Sequence, residues 1–574
     1  MEQTPWFKHY DEGVPNTLKP YPDRTLLDYV ADMARERGDQ PALLFKGLRV
    51  SYAELERLSD SFAAALLGLG IKKGDRIALL LPNCPQFIIA EMGAWKAGAV
   101  VLPLNPIYTE GELQGPILNC TPETIVTLTP FYDRVKSIQQ NTKLKRVIAT
   151  NIKEFLPPVL RLLFTLVKEK KEGHRIRLRP GDFWFSEMLK TAGAESKPRV
   201  SVNPDDPAII LLSGGTTGTP KGAVGTHRSL VCSGLQLTSW VKNLKGESQD
   251  VIMLPLPLFH VYANAGIQCE AFVGGNTISL IPNPRDIKDV LHTIRKDRPT
   301  FFVSVPTLFI ALLNHPEVKA GKVDFKSIKL CISGAAPLMA ETKKSFEELT
   351  GGRILEGYSL TEAMMACTVN PALGEKKIGS IGMPLPDVEV RIADPDSGDK
   401  ILPTGEVGEV LLRAPQLMKG YWQNPEETAG VLQAHGEGGA WLHTGDLGYL
   451  DEDGYVFIVD RKKDVIKPSG FQVWPREVEE VVTSHPAVLE VGVAGVPDDY
   501  QGEAVKAWVV LRAGQQATVD EIRQHCRQKL APYKVPKHIE FRESLPKSMV
   551  GKVLRRVLAQ EERDKVAQQK KLRA

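Results

Sequence analysis

Residues 209–227 read IILLSGGTTGTPKGAVGTH. The apolar run IILL has the length of a buried strand. It empties into Ser213, Gly214, Gly215, Thr216, Thr217, Gly218, Thr219, Pro220 and Lys221. Glycines reach the backbone angles that turn successive N–H groups toward one point. Hydroxyls and a lysine add donors and positive charge, and a polyphosphate needs that combination. The spacing is neither GxxxxGK(S/T) nor GxGxxG, so this is not a Walker A loop or a Rossmann loop. A flexible surface turn would share the composition. The strand that feeds the loop and the lysine that closes it favour phosphate.

Working outward, 26–200 mostly alternates helix and strand. SYAELERLSDSFAAALLGLG (51–70) opens on Ser51 with Glu54 three residues later, a capping box leading an amphipathic helix that ends at glycine. GDRIALLLP (74–82) reads as a buried strand, and the next segment as helix, turn, strand. Strand–helix–strand units predict an α/β fold: a large N-terminal domain of stacked, largely parallel sheets covered by helices. The alternation resumes from Asp206 to about Asp460. Beyond it the texture becomes that of a small α+β unit. The boundary is placed at the charged cluster DRKKD (460–464), giving domains 1–460 and 461–574. The charged tail from Glu561 is expected to fray.

At 574 residues the chain is too long for a single core. A net charge of +3 provides no field for nucleic acid. The seven cysteines are odd in number and form no CxxC pair, which argues against a disulfide framework and a structural zinc site. The polar N-terminus and the lack of any run of about 18 apolar residues point to a cytoplasmic protein.

Residues 154–180, EFLPPVLRLLFTLVKEKKEGHRIRLRP, break the rhythm. A mostly apolar stretch is followed by Lys168, Lys170, Lys171, Arg175, Arg177 and Arg179, against only Glu169 and Glu172. Two readings stand. One is a helix packed into the core with a solvated basic end, which is preferred because a stretch this short can pack inward. The other is peripheral contact with an anionic membrane face.

SGGTTGTPKG resembles the phosphate-loop signature of the adenylate-forming superfamily, which includes acyl- and aryl-CoA synthetases, peptide-synthetase adenylation domains and firefly luciferase. The other family motifs follow in order to about Leu558. The resemblance implies an adenine site at Gly334, Ala335 and Ala336 in CISGAAPL. It implies a second nucleotide segment in LEGYSLTEA, where Glu356 and Gly357 precede Tyr358 against adenine. There Thr361 falls at the α-phosphate and Glu362 on magnesium, with Thr217 as a further ligand. Read alone, SLTEA could also be a helix start capped by Ser359, with Glu362 as its box partner. Asp446 and Arg461 fall at the ribose, Lys463 at a hinge, and Lys467 with Gly470 along the pantetheine path. Lys552 is the adenylation lysine. His260 borders the acyl pocket, and Gly266 leaves it room. DEDG (451–454) also reads as a hairpin turn.

The implied chemistry has two steps: a carboxylate attacks the α-phosphate of ATP, then the thiol of coenzyme A attacks the adenylate. Lys552, Lys221, the loop and Mg²⁺ on Glu362 stabilise the growing charge. The layout, including the 154–180 insertion, is most similar to bacterial long-chain fatty-acid–CoA ligases, and relatives are often homodimers. Medium-chain or aryl acids, a fatty acyl-AMP ligase and a non-catalytic lipid-binding protein remain alternatives.

Overall fold

The computed structural model describes residues 4–573 except 192–199, 214–219, 245, 247, 337, 436–438, 499 and 548–550. The expected ligands Gly214, Gly215, Thr216, Thr217 and Gly218 lie outside the described residues. The chain divides into two compact units, 1–389 with 413–442, and 390–412 with 443–574.

The first unit is α/β with two largely parallel sheets. One orders its strands Phe183–Trp184, Arg146–Thr150, Thr124–Leu128, Arg76–Leu80, Val100–Pro103, Pro207–Ser213 and Lys221–Thr226. Its pairs are parallel except the last, where Pro207–Ser213 returns antiparallel as Lys221–Thr226. Among the described residues the second has nine strands, parallel through Leu330–Ser333 and Arg353–Leu360 and antiparallel at its edges. Burial on both faces explains apolar strands without alternation, such as the wholly buried Thr124–Leu128 and Phe301–Ser304.

Local signals act where they were read. The helix Tyr52–Gly68 starts at Ser51, whose hydroxyl accepts from the Glu54 N–H at 3.2 Å, while the Glu54 carboxylate accepts from Ser51 N at 2.9 Å. The helix Pro85–Lys96 is buried along its whole length. From it the Trp95 indole donates to Ala208 O at 2.8 Å, tying the helix to the strand that feeds the glycine-rich loop.

In the second unit the strands Val488–Asp498 and Gly502–Leu511 form an antiparallel hairpin, and His538–Phe541 adds in parallel. The helices Pro475–Thr483 and Val519–Arg527 belong to the same unit, with Val478, Val482, Ile522 and Cys526 in its core. The Asp451 carboxylate accepts from the amides of Asp453 and Tyr455, and Gly454 sits at φ 83°, so DEDG makes the expected hairpin turn.

Three expectations are corrected. SLTEA does not start a helix: Arg353–Leu360 is a strand through Leu360, followed by a turn and the antiparallel strand Met365–Val369. Ser359 and Leu360 pair instead with Ala366 and Met365 of that strand. The charged tail is not frayed from Glu561, because a helix runs Arg555–Arg573. The apolar part of 154–180 does not pack inward, since neither Pro158–Leu163 nor Phe164–Lys168 buries a residue. All seven cysteines are buried free thiols.

Candidate active site

Ser213 and Lys221 are partners in register, so the strands Pro207–Ser213 and Lys221–Thr226 hold the two ends of the glycine-rich loop opposite each other. Residues 419–422 then lie along the second strand. Val224 N donates to Gly420 O at 2.9 Å, Lys419 N to Val224 O at 2.8 Å and Trp422 N to Gly222 O at 2.7 Å. This pairing delivers Tyr421 to the site. The Tyr421 hydroxyl donates to Glu362 Oε1 at 2.8 Å, and Lys221 Nζ sits 5.3 Å from the centre of the Tyr421 ring. Lys221 is also paired with Glu427 Oε2 at 2.5 Å. Burial and the neighbouring Glu362 carboxylate push the Tyr421 phenol above its ordinary range, so it stays a donor.

Thr361 and Glu362 sit on the turn between Arg353–Leu360 and Met365–Val369. Met418 N donates to Glu362 O at 2.9 Å, which fixes that turn against residues 413–442 of the same unit. Upstream on the strand, Tyr358 pairs with Thr368 and Gly357 with Val369, while Glu356 accepts from Lys343 Nζ at 3.1 Å. Gly334, Ala335 and Ala336 follow the neighbouring strand Leu330–Ser333. Ala335 adopts φ 67°, and a Cβ on Gly334 would lie 3.0 Å from the Tyr262 ring. The residues of both motifs expected at adenine therefore sit on or just beyond adjacent parallel strands, where α/β sheets place ligands.

His260 precedes the π-helix Tyr262–Gln268. Its Nδ1 accepts from Tyr262 N at 3.3 Å, and burial pushes its pKa down to about 4, so the imidazole is neutral. A Cβ on Gly266 would lie 2.2 Å from Met365 Sδ, so the space at Gly266 is filled by that thioether. Met364 and Met365 hold φ of 48° and 124°, a strained pair just beyond Glu362.

In the second unit Asp446 is buried, with Arg461 Nε 2.9 Å from Oδ1. Lys552 lies among Arg461, Asp446, Arg555 and Asp464. Its loop is closed at the base, where Lys547 and Val553 form a bridge and Leu554 N donates to Pro546 O at 2.8 Å. Arg555 anchors it, 2.5 Å from Glu479 and 2.7 Å from Asp460. Lys463 is exposed in the turn after Val456–Arg461. Lys467 N donates to Glu503 Oε2 at 2.8 Å, and Gly470 has φ 87° with open space where a Cβ would stand. The structure thus gathers Ser213, Lys221, Thr361 and Glu362 in one unit, and Asp446, Arg461 and Lys552 in the other.

The sequence model described as AMP-binding enzyme matches residues 30–422, and that described as AMP-binding enzyme C-terminal domain matches 477–552. The chain belongs to the AMP-binding enzyme family. This AMP-binding enzyme is 38% identical over 563 residues to a Bacillus subtilis protein named long-chain-fatty-acid–CoA ligase, covering 98% of this chain and 99% of that one. A Yersinia pestis protein of the same name is 39% identical, covering 97% and 98%. Among solved structures, ATP-bound MatB from Rhodopseudomonas palustris superposes with a TM-score of 0.80 at 29% identity, covering 94% of this chain and 99% of that one. The anthranilate CoA ligase AuaEII with anthranoyl-AMP gives a TM-score of 0.83 at 26% identity, covering 95% and 99%.

Sequence reading missed Tyr421, Glu427 and Arg555 in this AMP-binding enzyme. A signal existed for one of them. NPEET (424–428) is a helix start with Asn424 as cap, proline at the first turn and acids behind it, but nothing local says that Glu427 turns to Lys221.

Proposed function

We propose that this chain ligates a long-chain fatty acid to coenzyme A through an acyl-adenylate, consuming ATP and releasing AMP and pyrophosphate. One observation carries the substrate: the end-to-end likeness, at 37–39% identity, to bacterial proteins named long-chain-fatty-acid–CoA ligase. In the first step the carboxylate attacks the α-phosphate. Ser213, Lys221, Thr361 and the loop 214–219 hold the phosphates, and Lys552 supplies the cation that adenylation needs. Tyr358 with Gly334, Ala335 and Ala336 takes the adenine, and Asp446 with Arg461 the ribose hydroxyls. His260 and Gly266 border the acyl chain. The second step needs a path for pantetheine, assigned to Lys467 and Gly470, with Lys463 as the hinge between the two steps.

Magnesium is part of the same reading. Among the described residues no cluster of three or more His, Cys, Asp or Glu could hold a metal. A single hard carboxylate, Glu362, with a threonine hydroxyl at Thr217, suits an ion whose other ligands are phosphate oxygens. Held there, the ion would supply positive charge to the phosphate oxygens. The Tyr421 hydroxyl orients the Glu362 carboxylate for that role. A homodimer and a peripheral position on the inner face of a membrane complete the proposal. No helix among the described residues is long and apolar enough to cross a membrane.

The test is purified protein with ATP, Mg²⁺ and palmitate, with and without coenzyme A, read by mass spectrometry. Palmitoyl-CoA with stoichiometric AMP is the expected result. Palmitoyl-adenylate that ignores coenzyme A would replace the reading with an acyl-AMP ligase. Turnover restricted to short or aromatic acids would overturn the substrate.

A further inference from the structure

Residues 158–179 carry an apolar and a basic surface side by side, and both face solvent. Val159, Leu160, Leu162, Leu163, Leu166 and Val167 are 43–73% exposed. Six large apolar side chains within nine positions cannot be the scatter of single apolar residues found on ordinary surfaces. Immediately downstream Lys168, Lys170, Lys171, Arg175, Arg177 and Arg179 are all exposed.

This helix is not a loosely attached strap, because buried polar contacts hold its far end. Glu169 accepts from Lys153 Nζ at 2.5 Å and from Asn151 Nδ2 at 3.1 Å. His174 Nδ1 lies 2.8 Å from Thr129 Oγ1, and His174 N donates to Glu169 O at 2.8 Å. The Phe164 ring meets the His174 ring edge-on at 5.1 Å. Both Glu169 and His174 are buried. One of the two acids in the basic stretch is thereby withdrawn from the surface. Glu172, near Lys168 at 3.3 Å, is the acid left exposed.

We propose that this element is a rigidly mounted membrane-docking helix whose partner is an anionic bilayer. Its leucines and valines enter the boundary between headgroups and acyl chains, and its lysines and arginines pair with lipid phosphates. Charge selects this partner over a second copy of the chain, because two such faces would bring like charges together. The proposal deepens the peripheral-membrane part of the reading above. It rests on that part alone, since binding to lipid is read without turnover.

The full chain is floated with vesicles of phosphatidylcholine alone and of phosphatidylcholine with phosphatidylglycerol. It is compared with Leu162→Ser/Leu166→Ser and with Lys170→Gln/Lys171→Gln. These side chains are exposed, so both variants should melt as the parent does, and CoA ligation of a soluble octanoate should be unchanged. The expected result is binding to the anionic vesicles that falls roughly tenfold or more in each variant, with the lysine variant showing a weaker salt dependence. Equal binding of the parent to both vesicle types, or to neither, would overturn the proposal. So would a parent dimer that the leucine variant dissolves while vesicle binding stays intact, since the occupant would then be a second copy. Vesicle binding without any ligase turnover would leave this proposal standing and sink the ligase reading.

Discussion

Asp446 and Arg461 stand opposite each other in the antiparallel pairing of 443–450 with Val456–Arg461, and their side chains close on each other at 2.9 Å. The backbone register therefore sets the pair before any ligand arrives. In the proposed function, a carboxylate held this way offers its acceptor oxygens to adjacent ribose hydroxyls. Asp446→Asn keeps the shape, loses one acceptor and removes the negative charge that faces Arg461. Hydrogen bonds to charged groups contribute about 1.5–3 kcal/mol each. The KM for ATP should rise on the order of tenfold to a hundredfold, measured by pyrophosphate exchange, with little change in melting temperature.

Lys552 sits beside the same pair, and its charge state follows from it. Burial, then the Arg461 guanidinium, lower its pKa below the ordinary 10.5, while Asp446 opposes the shift. In the proposed function, adenylation needs the ammonium. As pH rises through the lowered pKa the cation is lost, so the alkaline limb of the adenylation rate lies below that of a free lysine. Arg461→Gln should move the limb up and Asp446→Asn should move it down. A limb that both variants leave in place would show that Lys552 is not the group titrating. Lys552→Ala should abolish adenylation while preserving much of the rate from preformed acyl-adenylate and coenzyme A.

Tyr421 reaches Glu362 across 59 positions of sequence. Tyr421→Phe removes one hydroxyl and takes its donor from a half-buried carboxylate oxygen, a change of about 1–3 kcal/mol. The affinity for Mg-ATP should fall by roughly tenfold at constant fatty-acid KM. An equal loss for both substrates would point to a general disturbance of the turn instead.

What was legible in the chain was local. The Ser51/Glu54 box, the DEDG turn and the strand feeding the glycine-rich loop each depend on residues a few positions apart, and each is where the pattern put it. SLTEA misled because a helix cap and a strand-end turn use the same residues. The choice is made by the neighbouring strands Leu330–Ser333 and Met365–Val369, which no short window contains. The 154–180 helix misled for a different reason. Its apolar content says that it must be covered, but not by what. Tyr421 and Arg555 act through partners far away in sequence, and a single sequence carries no trace of such pairings.

Gly266 and Met365 make a further test of the acyl side. A methyl group on Gly266 would stand 2.2–2.6 Å from three atoms of the Met365 side chain, far inside contact distance. Met365 is buried and its backbone is strained, so it cannot retreat freely. Overpacking of this kind costs about 1–3 kcal/mol. Gly266→Ala should lower kcat/KM for palmitate roughly tenfold or more. Met365→Ala in the same chain should restore most of it, a coupling that a double-mutant cycle reads directly. Additive losses would mean that the two residues do not share the chain's path.

Glu91 offers a test of stability rather than activity. It is fully buried on the helix Pro85–Lys96, accepting from Asn264 Nδ2 at 2.7 Å and from Gln268 Nε2. Burial raises its pKa from 4.5 to about 7, with the two amides opposing. Between these values the folded chain holds a proton that the unfolded chain has released, so stability falls as pH rises through the window. At about 1.4 kcal/mol per pKa unit the loss totals on the order of 3 kcal/mol by pH 8. Glu91→Gln removes the titration. The orphaned Asn264 Oδ1 and Gln268 Oε1 can accept from the new amide once those side chains turn. The variant should melt at a nearly constant temperature from pH 5 to pH 8, whereas the parent loses several degrees. If parent and variant fall together over that range, another buried group is titrating and Glu91 is ionised throughout.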